Sequence, residues 1–431
     1  MIHSSTLLME VNMAKAKLRE VFAPGGMPSV TYVGREHLRL EERILRAVSR
    51  GYSFNVVTGP TKSGKSVLCH KVLDKSKLVT LEGGQITSDE DFWDQLAHRM
   101  QVAAEVTKTE RESESISGEV SAGWNLGGLL SFKTKADIGS GRDSTRQYVT
   151  ALKIACIDAM LDNNAILLID DFHYLDSGVQ KNIIQSFKAP VMKGLTVFLL
   201  AVPHRAFDPI TVENEVEGRF KHIDIPTWEM DDLEKIAELG FPALNIVCAS
   251  TIAKQMAQQA SRNPLLMQEI CAELCLENNI SERLDRETTV DGSGLPAAYR
   301  EIAESKGFPK FDRLRKGPQA RKLREPRRLV DGTEQDIYSV IMMALAKTGP
   351  KAKTSYDDLR IEIRALIHSD GKMPQKNEIT SALSHMTAIA KKDIKGEPPL
   401  EWVKDTNEVV ITDPFLIFYM RHAKISLNPD A

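Results

Sequence analysis

No apolar run in these 431 residues approaches the ~20 that a bilayer-spanning helix needs, which argues against a membrane protein. Cysteine is scarce and unpatterned. Cys69, Cys156, Cys248, Cys271 and Cys275 show no C-x-x-C spacing, and Cys271 and Cys275 sit one helical turn apart among Leu and Ile, so buried free thiols in a reducing compartment are expected. Neither sign of charge dominates. With a net charge of −3 the whole molecule does not attract a polyanion, and any nucleic-acid affinity must come from a local patch. The start, Met1 to Leu18, lacks a cleavage-type pattern and carries Glu10 inside its apolar stretch, so a cytoplasmic protein is expected. The length predicts two or three domains.

What the chain does carry is a phosphate-gripping pattern, G-x-x-x-x-G-K-[ST], at Gly59-Pro60-Thr61-Lys62-Ser63-Gly64-Lys65-Ser66. Tyr52 to Thr58 reads as a buried strand feeding this loop, and Ser66 to Leu73, including Val67, reads as the helix leaving it. Glycines let backbone N–H groups turn inward around phosphates, and the helix start adds partial positive charge. Lys65 is then expected at the β and γ oxygens of ATP, and Ser66 at Mg²⁺. The second half of such a site is Ala165 to Leu175, a buried strand ending in Asp170 and Asp171. Asp170 is expected to hold Mg²⁺ and Asp171 to position the attacking water, although Asp is one methylene shorter than the Glu usual there, which suggests slow hydrolysis. His173 either touches a neighbour or the γ-phosphate network, or packs beside Tyr174.

Residues 1–30 read as a short helix followed by the breaker cluster Pro24 to Pro28. From 31 to 230, β-rich runs at 53–58, 78–82, 165–170, 195–201 and 222–225 alternate with helical patterns. That is the signature of an α/β fold, a parallel sheet with helices on both faces. An insertion at about 105–142 alternates apolar and polar residues around Asn125 to Gly128. It predicts a β-hairpin, either folded flat on the main sheet or serving as a finger toward a partner. A helical lid is expected at 231–280, a polar, irregular basic linker at 281–330, and three helices followed by a hairpin at 331–425, the winged-helix plan.

Together these words resemble the AAA+ and STAND branches of P-loop ATPases, in particular the origin-recognition-like group and the TniB-type ATPases of transposons. Tyr32-Val33-Gly34-Arg35-Glu36 is similar to the segment that flanks adenine in those families, which implies nucleotide contacts for Tyr32, Val33 and Arg35. Asp170-Asp171-x-His173 resembles D-E-x-H with Asp in place of Glu. Arg219 before Lys221 to Trp228 resembles an arginine-finger box, implying that it reaches a neighbouring subunit's γ-phosphate; the other reading is a helix-end arginine favoured by the macrodipole. His204 and Arg205 fall in the sensor-1 region, where Pro203 breaks the usual pattern. Arg262-Asn263-Pro264-Leu265-Leu266 resembles a G-x-P-L element with Arg262 where glycine is usual, and implies that Pro264 packs near the base.

The resemblance implies an ATPase whose nucleotide state controls homo-oligomer assembly, in a transposition, replication-initiator or mobile-element defence setting. The alternative is a slow ADP/ATP switch that recruits a separate effector protein and does not bind DNA. DNA contact is expected through the run 310–328, with Lys310, Arg313, Arg315, Lys316, Arg321, Lys322, Arg324, Arg327 and Arg328, and through Lys376, Asn377, Ser381, Ser384, His385, Lys391 and Lys392 of the third helix. A solvated linker beside a structural winged helix is the other reading.

Overall fold

The computed structural model describes residues 16–102, 142–202, 218–319, 324–394 and 398–422. They form two compact units, one of Gly34–Pro60 and Gly64–Pro226, the other of Met1–Val33, Thr61–Ser63 and Thr227–Ala431.

The first unit runs α1 (Leu40–Arg50), β1 (Phe54–Thr58), α2 (Lys65–Val72), β2 (Leu78–Glu82), α3 (Asp89–Met100), α4 (Arg142–Asp162), β3 (Ile166–Asp170), α5 (Ser177–Met192), β4 (Thr196–Ala201) and β5 (Phe220–Asp224). The five strands pair in parallel in the order β2-β3-β4-β1-β5. Side chains alternate across a strand, so β3 sends Leu167 and Ile169 to one apolar layer and Ile166 and Leu168 to the other. The first layer is closed by α3, α4 and α5 through Phe92, Trp93, Cys156, Ile183 and Phe187; the second by α1 and α2 through Leu40, Ile44, Leu68 and Cys69. Both faces of the central strands are buried, which is why they read as unbroken apolar runs. Helix α3 starts where the sequence signals a start: the Ser88 side chain accepts from the Asp91 N–H, and acids fill the first turn.

The second unit contains α6 (Met230–Ala243), β6 (Ile246–Cys248), α7 (Ser250–Gln259), α8 (Pro264–Glu277), β7 (Thr288–Val290), α9 (Leu295–Ile302), α10 (Phe308–Lys316), β8 (Arg327–Arg328), β9 (Glu334–Gln335), α11 (Ile337–Lys347), β10 (Lys353–Ser355), α12 (Tyr356–Leu366), α13 (Lys376–Asp393), β11 (Leu400–Val403), β12 (Glu408–Ile411) and α14 (Pro414–His422). Its C-terminal part combines α11, α12 and α13 with an antiparallel sheet in the order β10-β12-β11. The short β10 is a strand that the pattern of three helices and a hairpin does not contain.

Residues 281–330 differ from the expectation of an irregular linker, because α9 and α10 lie inside that range. Their apolar residues Leu295, Ala298, Tyr299, Ile302, Phe311 and Leu314 are buried in the unit's core. A five-residue π-helical turn, Ala303–Gly307, shifts the helical phase between them, and the surrounding charge hides the periodicity. The hairpin expected within 105–142 falls outside the described residues, apart from Arg142 at the start of α4, as do Pro203, His204 and Arg205. All five cysteines are free thiols, with Cys248 only partly buried.

Candidate functional site

The loop of residues 59–64 leaves the carboxyl end of the interior strand β1 and enters α2, whose first residue is Lys65. Gly64 takes φ 90° and Lys62 φ 58°, left-handed values that fold the loop back on itself. Such turns make a concavity of N–H groups suited to anions. A Cβ built on Gly64 meets no atom within 4 Å, so the loop keeps open space where its backbone is most bent. The Ser63 hydroxyl is buried and has no partner among the described residues.

Lys65 is 7% exposed, and its ammonium donates to the Gly59 and Pro60 carbonyls, each at 3.0 Å. The side chain thus lies over its own loop, within reach of a bound phosphate. Ser66 Oγ donates to Asp170 Oδ2, and the Asp171 N–H donates to Asp170 Oδ1 at 2.9 Å. Residues separated by a hundred positions in sequence therefore meet at one point, at the carboxyl end of the sheet. Among the described residues no three carboxylate, His or Cys side chains converge as a metal-binding group. That is compatible with Mg²⁺, which takes few protein ligands and fills its shell with phosphate oxygens and water. Ser66 and Asp170 fit such an ion, and the loop amides with Lys65 fit a polyphosphate.

Asp171 holds φ 50° at the start of a single helical turn, Phe172–Tyr174. Burial, and then the neighbouring Asp170, push its carboxyl up to about 6; Lys65 pulls the other way and Glu82 adds to the rise. Glu82 pairs in register with Asp170 across β2 and β3, and burial and Asp170 raise its carboxyl as well. The sequence reading does not single out Glu82 or Gly83. A Cβ at Gly83 would lie 2.5 Å from the Asp171 carbonyl and 3.0 Å from that of Asp170, so glycine is what allows the two chain segments to approach. His173 is buried with its ring 4.3 Å from that of Tyr174, the packed arrangement.

No family model matches the chain. No curated protein matches it either. Among solved structures, the Walker-type ATPase paby2304 of Pyrococcus abyssi is 12% identical, with 90% of this chain and 96% of that one covered at a TM-score of 0.52. Its likeness joins the five-stranded parallel order and the loop geometry above. The chain has a P-loop NTPase α/β fold. The Aeropyrum pernix ORC2 protein in its ADP form (11% identity, 92% and 94% covered, TM-score 0.49) and Cdc6p from Pyrobaculum aerophilum (12%, 93% and 97%, 0.42) also match.

Arg35 is buried and donates to the Pro226 carbonyl at 3.0 Å, while Tyr32 and Val33 belong to the second unit. Arg219 immediately precedes β5, and its Nη1 is buried without a partner among the described residues. Pro264 is the first residue of α8, directly after the cap residue Asn263, whose side chain accepts from the Leu266 N–H. Arg262 takes φ 60°, a left-handed value that glycine adopts without strain.

The basic run proves to be largely occupied. Arg313 pairs with Asp393; Arg315 and Lys316 pair with Asp312; Arg324 pairs with Asp336; Arg328 pairs with Asp370; and Lys310 pairs with Asp413. Arg327, 2% exposed, binds Glu325, Glu378 and the Lys372 carbonyl. Arg321 and Lys322 lie outside the described residues. On α13, by contrast, Lys376, Asn377, Ser381, His385, Lys391 and Lys392 are exposed along the helix. Among these, Lys391 pairs with Glu401 and Lys376 lies over the Tyr356 ring. Among the described residues no helix is long and apolar enough to cross a membrane.

Proposed function

We propose that this protein is an Mg²⁺-dependent ATPase of slow turnover whose nucleotide state controls self-assembly. The observation that carries the reading is the convergence of Lys65, Ser66 and Asp170 on one loop at the carboxyl end of β1 and β3. When bound, Mg²⁺–ATP supplies the transferable phosphoryl group and the ion that neutralises its charge. The chain's own residues do the rest. The loop amides and Lys65 bind and orient the phosphates, Ser66 and Asp170 fix the metal's position, and Asp171 orients water with a carboxyl basic enough to accept a proton near neutrality. Arg219 completes the site of a neighbouring copy, a role that requires its guanidinium to come out of the partly buried position it holds in the single chain.

The three helices and small sheet at 331–425 act as a winged helix. Its nucleic-acid face is α13 rather than the run 310–328, because α13 keeps exposed polar and basic side chains while the run's cations are spent on carboxylates. A mobile-element setting, transposition or defence, follows from the sequence resemblance. A second reading, a switch that holds ADP and recruits a separate effector, is favoured by the short side chain of Asp171 at the water-positioning place.

Titration with a fluorescent ATP analogue tests the central claim: wild-type protein binds in the presence of Mg²⁺ and Lys65→Ala does not. Equal affinity in the two proteins would overturn it. Mass measurement without nucleotide, with ADP and with a non-hydrolysable ATP analogue tests assembly, which predicts a larger species only with the analogue. Steady hydrolysis stimulated by DNA supports the first reading. Tightly retained ADP with negligible turnover supports the second.

A further inference from the structure

The tip of the phosphate loop, Thr61–Ser63, belongs by its contacts to the second unit, and three side chains of that unit hold it. Asn263 Nδ2 donates to the Thr61 carbonyl at 3.3 Å, Trp228 Nε1 donates to the Ser63 carbonyl at 2.8 Å, and Asp413 Oδ2 accepts from the Lys62 ammonium at 2.6 Å. A trans peptide is planar, with its C=O and N–H pointing in opposite directions. Drawing the Thr61 carbonyl toward Asn263 therefore turns the Lys62 N–H away from Asn263, and drawing the Ser63 carbonyl toward Trp228 turns the Gly64 N–H away from Trp228. Those two N–H groups sit at the left-handed residues that bend the loop.

Asp413 is the firmest of the three holders. It is 5% exposed, its second oxygen accepts from the Leu416 N–H at 3.0 Å, and its Oδ2 also takes Lys310 at 2.6 Å. Both ammoniums lie over the Phe415 ring, at 5.0 and 5.6 Å. Burial opposes ionisation of Asp413, and the two lysines outweigh it, keeping the carboxyl below its usual range.

We infer that Trp228, Asn263 and Asp413 are positioning residues of the phosphate loop, holding its backbone amides in the orientation that receives a polyphosphate. The inference rests on the reading of residues 59–66 as a nucleotide loop. It goes beyond that reading by making the grip on phosphate depend on α8 and α14.

Each side chain can be changed so that its packing or capping is kept while the loop contact is lost; at Asp413 the pair with Lys310 is weakened too. Trp228→Phe keeps a buried ring without the donor. Asn263→Asp keeps the oxygen that caps α8 and removes the N–H. Asp413→Asn keeps the cap of α14 and removes the charge. Each variant is expected to bind ADP and ATP about 3–10-fold more weakly, the equivalent of one lost hydrogen bond or partly buried ion pair. Inorganic tripolyphosphate, measured by competition against fluorescent ADP, should weaken by the same factor, while the melting temperature of the nucleotide-free protein shifts by no more than about 4 °C.

Wild-type affinity for ADP in all three variants would overturn the inference. So would weakened ADP binding with unchanged tripolyphosphate affinity, since a loop-orienting role acts on the phosphates. If one variant fails to fold, the other two still decide the matter. Failure of the wild-type chain to bind either probe would overturn the nucleotide reading itself, and this inference with it, an outcome distinct from the other two.

Discussion

Two regions of this molecule carry strong sequence signals, glycines and lysines at fixed spacing in one and a crowd of lysines and arginines in the other, and the structure uses them in opposite ways. The loop 59–66 folds Lys65 back over its own carbonyls beside Ser66 and Asp170; the run 310–328 turns all its described cations onto carboxylates of its own unit. Both are strong features of the sequence. The difference is that the loop's signal is a spacing, and spacing encodes backbone geometry, whereas the run's signal is a density of one charge. Density does not say where the acids are. Asp393, Asp336 and Glu378 lie outside the run, and only the fold brings them to it.

The sharpest way to break this contrast is at Lys65. Lys65→Ala should lower Mg²⁺–ATP affinity by about 10²–10³-fold, because a charge-assisted contact in a partly closed site is lost. A change below tenfold would mean that the loop is no more a binding element than the run. The next largest effect should fall on the run. Arg327→Ala leaves Glu378 and the Lys372 carbonyl without their buried partner and should destabilise the protein by about 2–3 kcal/mol, read by urea denaturation. A stable Arg327→Ala protein that had lost DNA binding would reverse the assignment.

Asp171 sharpens the loop's side of the comparison through pH. Its folded value of about 6 stands above the ordinary 3.8, so the stability it contributes is present below about pH 4 and is lost as pH rises through 6. Asp171→Asn should therefore stabilise the metal-free protein by about 1–3 kcal/mol at pH 8 and by nothing at pH 4. Equal melting behaviour of the two proteins across that range would show that burial and the neighbouring Asp170 do not raise the carboxyl. The smallest effect is expected at Arg328, whose pair with Asp370 is exposed on both sides: alanine there should change stability by less than about 0.5 kcal/mol. It should also leave any DNA affinity unaltered.

Much of the first unit is legible in the sequence. The strands expected at 53–58, 78–82, 165–170 and 195–201 are found within one residue, β1, β3 and β4 because strands buried on both faces are short apolar runs bounded by polar turns, and the edge strand β2 because its buried residues alternate. The fifth begins at Phe220, two residues before its expected start; Phe220 and Lys221 continue the strand although only Ile223 within it is fully buried. Ser66 and Asp170, 104 positions apart, meet as the order of their two motifs leads one to expect. Less legible were α9 and α10, whose apolar rows are offset by the π-helical turn, and β10, whose three residues Lys353, Thr354 and Ser355 carry no apolar pattern and are a strand only because Val409 and Val410 lie alongside. Trp228, Asn263 and Asp413 could not have been chosen from spacing, since their loop contacts are made to residues 165, 202 and 351 positions away. Gly83 is a similar case, its requirement set by the Asp171 carbonyl just past the end of β3.

Asn263 is asked for two things by parts of the chain that have no local reason to agree: an oxygen to begin α8 and an N–H to meet the Thr61 carbonyl. An aspartate satisfies the first demand, and a glutamine, one methylene longer, is a poor fit to both at once. Sequence drift at this position is accordingly expected to be narrow, and a homologue that replaces the asparagine while keeping Gly59 to Ser66 should carry a compensating donor elsewhere in its second unit.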